Sequence, residues 1–195
     1  MQISRRFELD PKVFVGSAIT ILILPLPWCI AFIFSAGFHE LCHLLALRIC
    51  GCQNSQIHIG PNGAVIYAAS LSPGKSLFCT LAGPLGQLLL LSLASWFPRF
   101  ALCAAAQAVY NLLPLNSLDG GQALQYLLGL FLSSSTTESI CLFIHRIALF
   151  FLCALAVCSA FILHLGLIPI IFAGVLLFKT TSGKIPCKSL SLRVQ

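Results

Sequence analysis

The sequence predicts an all-α, polytopic membrane protein of about six transmembrane helices with one short membrane-associated β-hairpin. Composition is the first ground: 58% of the 195 residues are hydrophobic and 8% are charged, against about 25% charged in an ordinary soluble domain. Mean hydropathy, at +0.98, agrees. The second is charge placement. The Lys and Arg residues avoid the apolar runs almost entirely and collect at Arg5, Arg6 and Lys12, at Arg48, and at Lys179, Lys184, Lys188 and Arg193. Short loops rich in Lys and Arg stay cytoplasmic, so the net charge of +6 reads as membrane orientation. Nucleic-acid binding is not expected, because no basic face remains on a soluble part.

Taken in order, the apolar segments are 13–26, 27–47, 76–97, 98–132 with a polar break, 140–163 and 165–178. Crossing the hydrocarbon takes about 20 residues, which leaves the first segment short and the last marginal. Basic residues ahead of Val13 give the start of the chain the look of a signal peptide. Cleavage is not expected, because the segment after it is at least as hydrophobic. Pro25 and Pro27 divide the first two segments into a tight helical hairpin, since proline lacks the amide donor. With the arm 1–12 in the cytoplasm, the second helix returns there at Arg48, and six crossings bring the basic tail 179–195 to the same side. Everything from 1 to 195 reads as one domain with a membrane core at 13–178.

Between Gly51 and Lys75 the chain suits neither a spanning helix nor a polar loop. Two β-prone runs, Gln56 to Ile59 and Ala64 to Ala68, flank Gly60-Pro61-Asn62-Gly63, which is strong turn chemistry. A hairpin of this kind is too apolar for water, and open backbone edges are not tolerated against lipid unless protein covers them or they line a cavity. A hairpin dipping beside the helix that carries His39 meets both constraints, and its edge can pair with an extended peptide. Most of the ten cysteines lie in apolar segments, where they behave as small hydrophobes. Cys50-Gly-Cys52 has no second pair to complete a zinc ribbon, so reduced thiols are expected.

Of the five acidic residues, Glu8 and Asp10 lie in the arm and Glu138 in a polar loop, leaving Glu40 and Asp119 among apolar neighbours. A charge at the centre of a spanning helix costs roughly 2.5 to 3.5 kcal/mol, which makes such residues functional candidates by default. Glu40 belongs to Phe38-His-Glu-Leu-Cys-His-Leu-Leu45. On a helix His39 and His43 lie one turn apart on one face, about 6 Å along the axis, where two imidazoles can share one metal. Glu40 is then placed to take a proton from a metal-bound water, the logic of H-E-x-x-H. A lone histidine in a membrane helix is more often a packing residue, but three such groups in five residues each carry the cost of an unpaired polar group in hydrocarbon. A metal removes that cost for all three.

A catalytic zinc takes a third protein ligand and keeps an open position. Asp119, in the run Asn111-Leu-Leu-Pro-Leu-Asn-Ser-Leu-Asp-Gly-Gly121, is the other carboxylate in apolar surroundings. Pro114, Gly120 and Gly121 break the helix there, and backbone freed inside a membrane must line protein or water. The competing reading makes Asp119 an ordinary cap for a helix starting at Gln122.

The pairing of FHELCH with Asn111-x-x-Pro114-x-x-x-x-Asp119-Gly120 resembles the site-2 proteases, which are intramembrane zinc metalloproteases, and the short form looks most like their sporulation-type bacterial branch. Leu81-Ala-Gly-Pro-Leu-Gly-Gln87 resembles that family's Ala-Gly-Pro segment, and the likeness spans roughly residues 13 to 132. The resemblance implies that His39, His43 and Asp119 bind Zn2+, that Glu40 is the general base, and that Asn111 hydrogen-bonds the substrate or intermediate. It also implies that the hairpin at Gly60 and Gly63 presents the peptide. Cys42 replaces the family's usual glycine, Asn116-Ser117 stands where prolines are common, and Gln87 replaces a frequent asparagine. The expected partners are a membrane-tethered protein substrate, the lipid bilayer and a membrane regulator. The expected location is a bacterial cell membrane, with the metal roughly 7 to 14 Å below the cytoplasmic surface by helix rise from Arg48. His58, His145, His164 and Arg146 are assigned no chemistry.

Three other readings compete. A ZIP-type metal transporter also carries a histidine-glutamate helix motif but resembles a longer bundle with a second metal-binding helix. A prenyl-peptide protease takes its third ligand from a later glutamate, and acids are scarce after Glu40. A silent regulator on the same scaffold would not need the full ligand set.

Overall fold

The computed structural model describes residues 25–52, 71–162, 173, 174 and 177, together with the backbone of four short strands at 8–9, 56–60, 63–67 and 193–194. Five helices make up the body of the described chain. Helix α1, Leu26–Ile49, starts immediately after Pro25 and holds Pro27 in its first turn, where a missing amide costs nothing. It stops at Gly51, whose φ of 89° turns the chain so that the Cys52 amide reaches the Leu47 carbonyl at 2.9 Å. Ser35, His39, His43 and Ala46 form its buried stripe, while Ile30, Phe34, Leu41 and Leu45 are exposed on another face.

Helix α2, Pro73–Leu89, runs on into a 3-10 turn at Leu90–Leu93. Helix α5, Ser134–Ile162, starts inside the polar run 133–138 that was expected as a loop. Ser133 explains the difference, because its carbonyl accepts from Thr137 N at 2.9 Å and its hydroxyl meets Thr136 N at 3.4 Å, which satisfies amides left over at a helix start.

Three of the described helical stretches are long and apolar enough to cross a bilayer: Leu26–Ile49, Pro73–Leu93 and Ser134–Phe161, of 24, 21 and 28 residues. Their lengths, together with the apolar residues on their outer faces, mark an integral membrane protein. The expected crossing 98–132 is divided. Helix α3, Pro98–Asn111, has 14 residues and helix α4, Asp119–Gly129, has 11, so neither reaches the ~30 Å of hydrocarbon alone. The segments 13–24, 163–172 and 178, on which two further expected crossings mostly rest, lie outside the described residues.

The turn between α3 and α4 is tight because two glycines permit it. A Cβ on Gly120 would collide with the Leu112 carbonyl, and one on Gly121 with the Leu115 carbonyl. Leu115 and Leu118 anchor the turn, each 1% exposed, packing with Ala148, Leu149 and Leu152 of α5. Among the strands, β2 (Gln56–Gly60) and β3 (Gly63–Tyr67) pair antiparallel, with Gly60 opposite Gly63. Strand β1 (Glu8–Leu9) lies parallel to β2, and β4 (Arg193–Val194) antiparallel to β3.

Candidate metal centre

Helix α1 delivers His39 and His43 to its buried face four residues apart, and α4 opens with Asp119 pointing at them. Asp119 Oδ2 lies 3.0 Å from His39 Nε2 and 3.3 Å from His43 Nε2, and the two Nε2 atoms are 3.0 Å apart. All three residues are buried, Asp119 and His43 completely. Among the described residues they are the one group of three His, Cys, Asp or Glu side chains whose ligand atoms fall within 4.8 Å of one another.

The remaining hydrogen bonds of the two rings fix their tautomers. His43 Nδ1 lies 2.8 Å from the Cys79 carbonyl and must donate to it. His39 Nδ1 lies 2.9 Å from Gln87 Oε1. That amide is oriented by its own Nε2, which donates to the Ser35 carbonyl at 3.2 Å and meets Gln107 Oε1 at 2.7 Å. With both Nδ1 atoms protonated, the neutral rings turn Nε2 lone pairs toward the carboxylate. This is why both Asp119 oxygens, close as they are to imidazole nitrogen, have no hydrogen-bond donor among the described residues. A proton on one ring satisfies one of the three contacts; a divalent cation satisfies all of them. Two imidazoles and a carboxylate form a donor set that fits Zn2+, and each histidine has the outer hydrogen bond that metal-bound imidazoles almost always make.

Helix α2 closes the cradle from the other side. A Cβ on Gly83 would run into the His43 ring and come within 2.7 Å of His39 Cε1, so only glycine fits beneath both imidazoles. A Cβ on Gly86 would strike Cys42 Sγ. Cys42 therefore occupies the space left by Gly86, and its thiol is not part of the ligand cluster.

Glu40 follows His39 on α1, and its Oε2 is buried without a hydrogen-bond partner among the described residues. Asn111, the last residue of α3, sets Nδ2 3.5 Å from His39 Nε2 on the partly buried side of the cluster. The reading of Asp119 as a helix cap is set aside: the cap position is Leu118, no side chain caps the helix, and Asp119 is already helical. The structure thus brings together His39, Glu40, His43, Asn111 and Asp119. For Gly60 and Gly63 the described structure gives the backbone pairing alone, each opposite the other across β2 and β3.

Several supporting residues carry no charge, which is why a search for charge among apolar residues passes over them. Gln107 receives the Ser35 hydroxyl at 3.0 Å and donates to the Phe32 carbonyl at 3.0 Å, extending the Gln87 network across α1, α2 and α3. His145, expected to carry no chemistry, accepts the Asn116 amide at Nδ1 at 3.3 Å and ties the turn before Asp119 to α5. A proline at 116 has no such amide to give. The signal available in the sequence was an amide side chain inside each of two apolar helices.

The whole structure is similar to that of the site-2 protease from Methanocaldococcus jannaschii, with a TM-score of 0.64 and 20% sequence identity over 97% of this chain and 95% of that one. At that identity the likeness establishes a shared fold. No protein-family model matches the chain, and no curated protein sequence does.

Proposed function

We propose that this chain is an intramembrane zinc metalloprotease of the site-2 protease family, hydrolysing peptide bonds within or near the transmembrane segments of membrane-tethered proteins. One observation carries the reading: Nε2 of His39, Nε2 of His43 and a carboxylate oxygen of Asp119 converge to within 3.3 Å of one another, from two distant parts of the chain, while both Nδ1 atoms are engaged outward. The shared fold supports it.

His39, His43 and Asp119 hold the zinc. When bound, zinc polarises a water and the scissile carbonyl. Glu40, whose Oε2 is buried without a hydrogen-bond partner among the described residues and which is adjacent to His39, would serve as the general base and return the proton to the leaving amine. Asn111 stands beside the ligands to donate an amide hydrogen to the carbonyl oxygen as charge develops there. The substrate helix unwinds before it reacts, because a helical backbone keeps its carbonyls bonded internally. Strands β2 and β3 with Gly60 and Gly63 hold the unwound peptide by edge pairing, in the place that β1 or β4 takes in its absence. The break between α3 and α4 lets water in at this depth, since irregular backbone inside a bilayer must line protein or a wet cavity. In this reading the chain crosses the membrane six times, the arm 1–12 and tail 179–195 are cytoplasmic, and the bilayer is a bacterial cell membrane. A membrane regulator is a further proposed partner.

A transporter needs a path with more than one cation station, and among the described residues there is one ligand cluster. The deciding experiment measures zinc per purified protein alongside cleavage of a panel of single-span substrates, for wild type and Glu40→Gln. Zinc retained in both proteins, with cleavage lost only in the variant, is expected. Zinc flux through proteoliposomes without any proteolysis by the wild type overturns the reading.

A further inference from the structure

Three thiols gather where α1 ends against α2. Cys50 closes α1, Cys52 follows the Gly51 turn, and Cys79 lies on α2. Cys79 and Cys52 are buried, Cys50 is half-buried, and Cys79 Sγ sits 3.6 Å from Cys50 Sγ. Two sulfurs at that separation are in contact, and a disulfide of about 2.05 Å asks for roughly 1.5 Å of further approach. Lys75, in the first turn of α2, points Nζ at the Cys50 carbonyl at 3.4 Å.

The same pair is joined to the metal centre. The Cys79 carbonyl is the acceptor for His43 Nδ1. One turn further along α2, Gly83 already presses against both imidazoles without room for a methyl group. Drawing Cys79 toward Cys50 therefore acts on the same residue whose carbonyl receives the His43 Nδ1 proton.

We propose that Cys50 and Cys79 are a redox-responsive modification site, forming a reversible disulfide that weakens the hold of the centre on its metal. The effect on the metal rests on His39, His43 and Asp119 being ligands; formation of the disulfide does not. The oxidant is a low-molecular-weight disulfide such as oxidised glutathione. The Cys50 thiolate attacks one of its sulfurs and releases the first thiolate, leaving a mixed disulfide on Cys50. Cys79 gives up its proton, attacks the Cys50 sulfur and expels the second thiolate. The two cysteines lose two electrons and two protons in all, and the oxidant becomes two thiols.

The test uses full-length protein in detergent micelles, treated with oxidised glutathione. Mass spectrometry of non-reduced peptides should find a Cys50–Cys79 cross-link about 2 Da lighter than the two thiols. Cys50→Ser and Cys79→Ser should each abolish it. Zinc release to a competing chelator should quicken about tenfold on oxidation, within the range that changes in the outer shell of a metal site produce. Dithiothreitol should reverse the effect, and both variants should ignore the oxidant. A glutathione adduct that stays on Cys50, or a bond from Cys50 to Cys52, overturns the proposal. So does a Cys50–Cys79 cross-link that leaves zinc release unchanged. If the reduced protein binds no zinc, the metal reading is what fails, and the mass shift still scores the disulfide.

Discussion

Each histidine at the centre has one nitrogen for the ligand cluster and one for the protein, so the outer bonds decide how well the inner ones are aimed. Gln87 is the clearest case. Its carbonyl oxygen orients His39 while its amide is held by Ser35 and Gln107. Gln87→Ala removes the partner of three buried groups at once, and zinc affinity should fall roughly 10- to 100-fold with helix content unchanged, as read by chelator competition and circular dichroism. Gly83→Ala acts by volume: its new methyl meets both imidazoles, and overpacking of this kind costs about 1 to 3 kcal/mol. The expected result is lost zinc together with a lower Tm. Asn111→Ala should separate chemistry from metal binding. Zinc stays, and kcat for a cleaved single-span substrate falls about 10²- to 10³-fold, as for the loss of an oxyanion donor.

At the level of elements, the junction of α3 and α4 is what carries a carboxylate to α1. Gly120 and Gly121 let the start of α4 fold back onto the Leu112–Asn116 backbone, Leu115 and Leu118 pin the turn to α5, and His145 takes the Asn116 amide. Asp119 also gains from its place in the first turn of α4, where the helix dipole favours a negative charge. Gly121→Ala drives a methyl into the Leu115 carbonyl, so the Asp119 carboxylate should be displaced while the two histidines remain. Zinc binding should weaken far more than secondary structure, which metal titration and circular dichroism on the same sample will show. His145→Ala removes a single neutral hydrogen bond, about 1 kcal/mol, and should produce a smaller loss in the same direction.

Across the whole molecule, zinc would join α1 to α4, elements that otherwise meet through α2 and α3. A ligand that binds only the folded state stabilises it by about 2.7 kcal/mol at a hundredfold excess over Kd. Stripping zinc with a chelator should therefore lower Tm and abolish cleavage, and stoichiometric zinc should restore both. A chain that keeps its Tm after complete zinc removal argues that the three groups are satisfied by protons instead. The structure also explains how a chain this apolar tolerates polar clusters: Ser35, Gln87 and Gln107 bond to one another and to backbone carbonyls, which spares the cost of unpaired groups in hydrocarbon.

The sequence by itself determined the membrane setting, the histidine pair, the glutamate beside it and the break around Pro114 and Gly120. Those features are local: hydropathy sums over a window, a spacing of four puts two side chains on one helix face, and proline and glycine act on their own backbone. Tertiary structure decided the rest. That Asp119 meets both histidines, that Gly83 and Gly86 hollow out room for His39, His43 and Cys42, and that Gln87, Gln107 and His145 serve the centre all depend on contacts between separate helices. A neutral amide or a glycine in an apolar run has many possible uses, and only packing against a particular neighbour selects one.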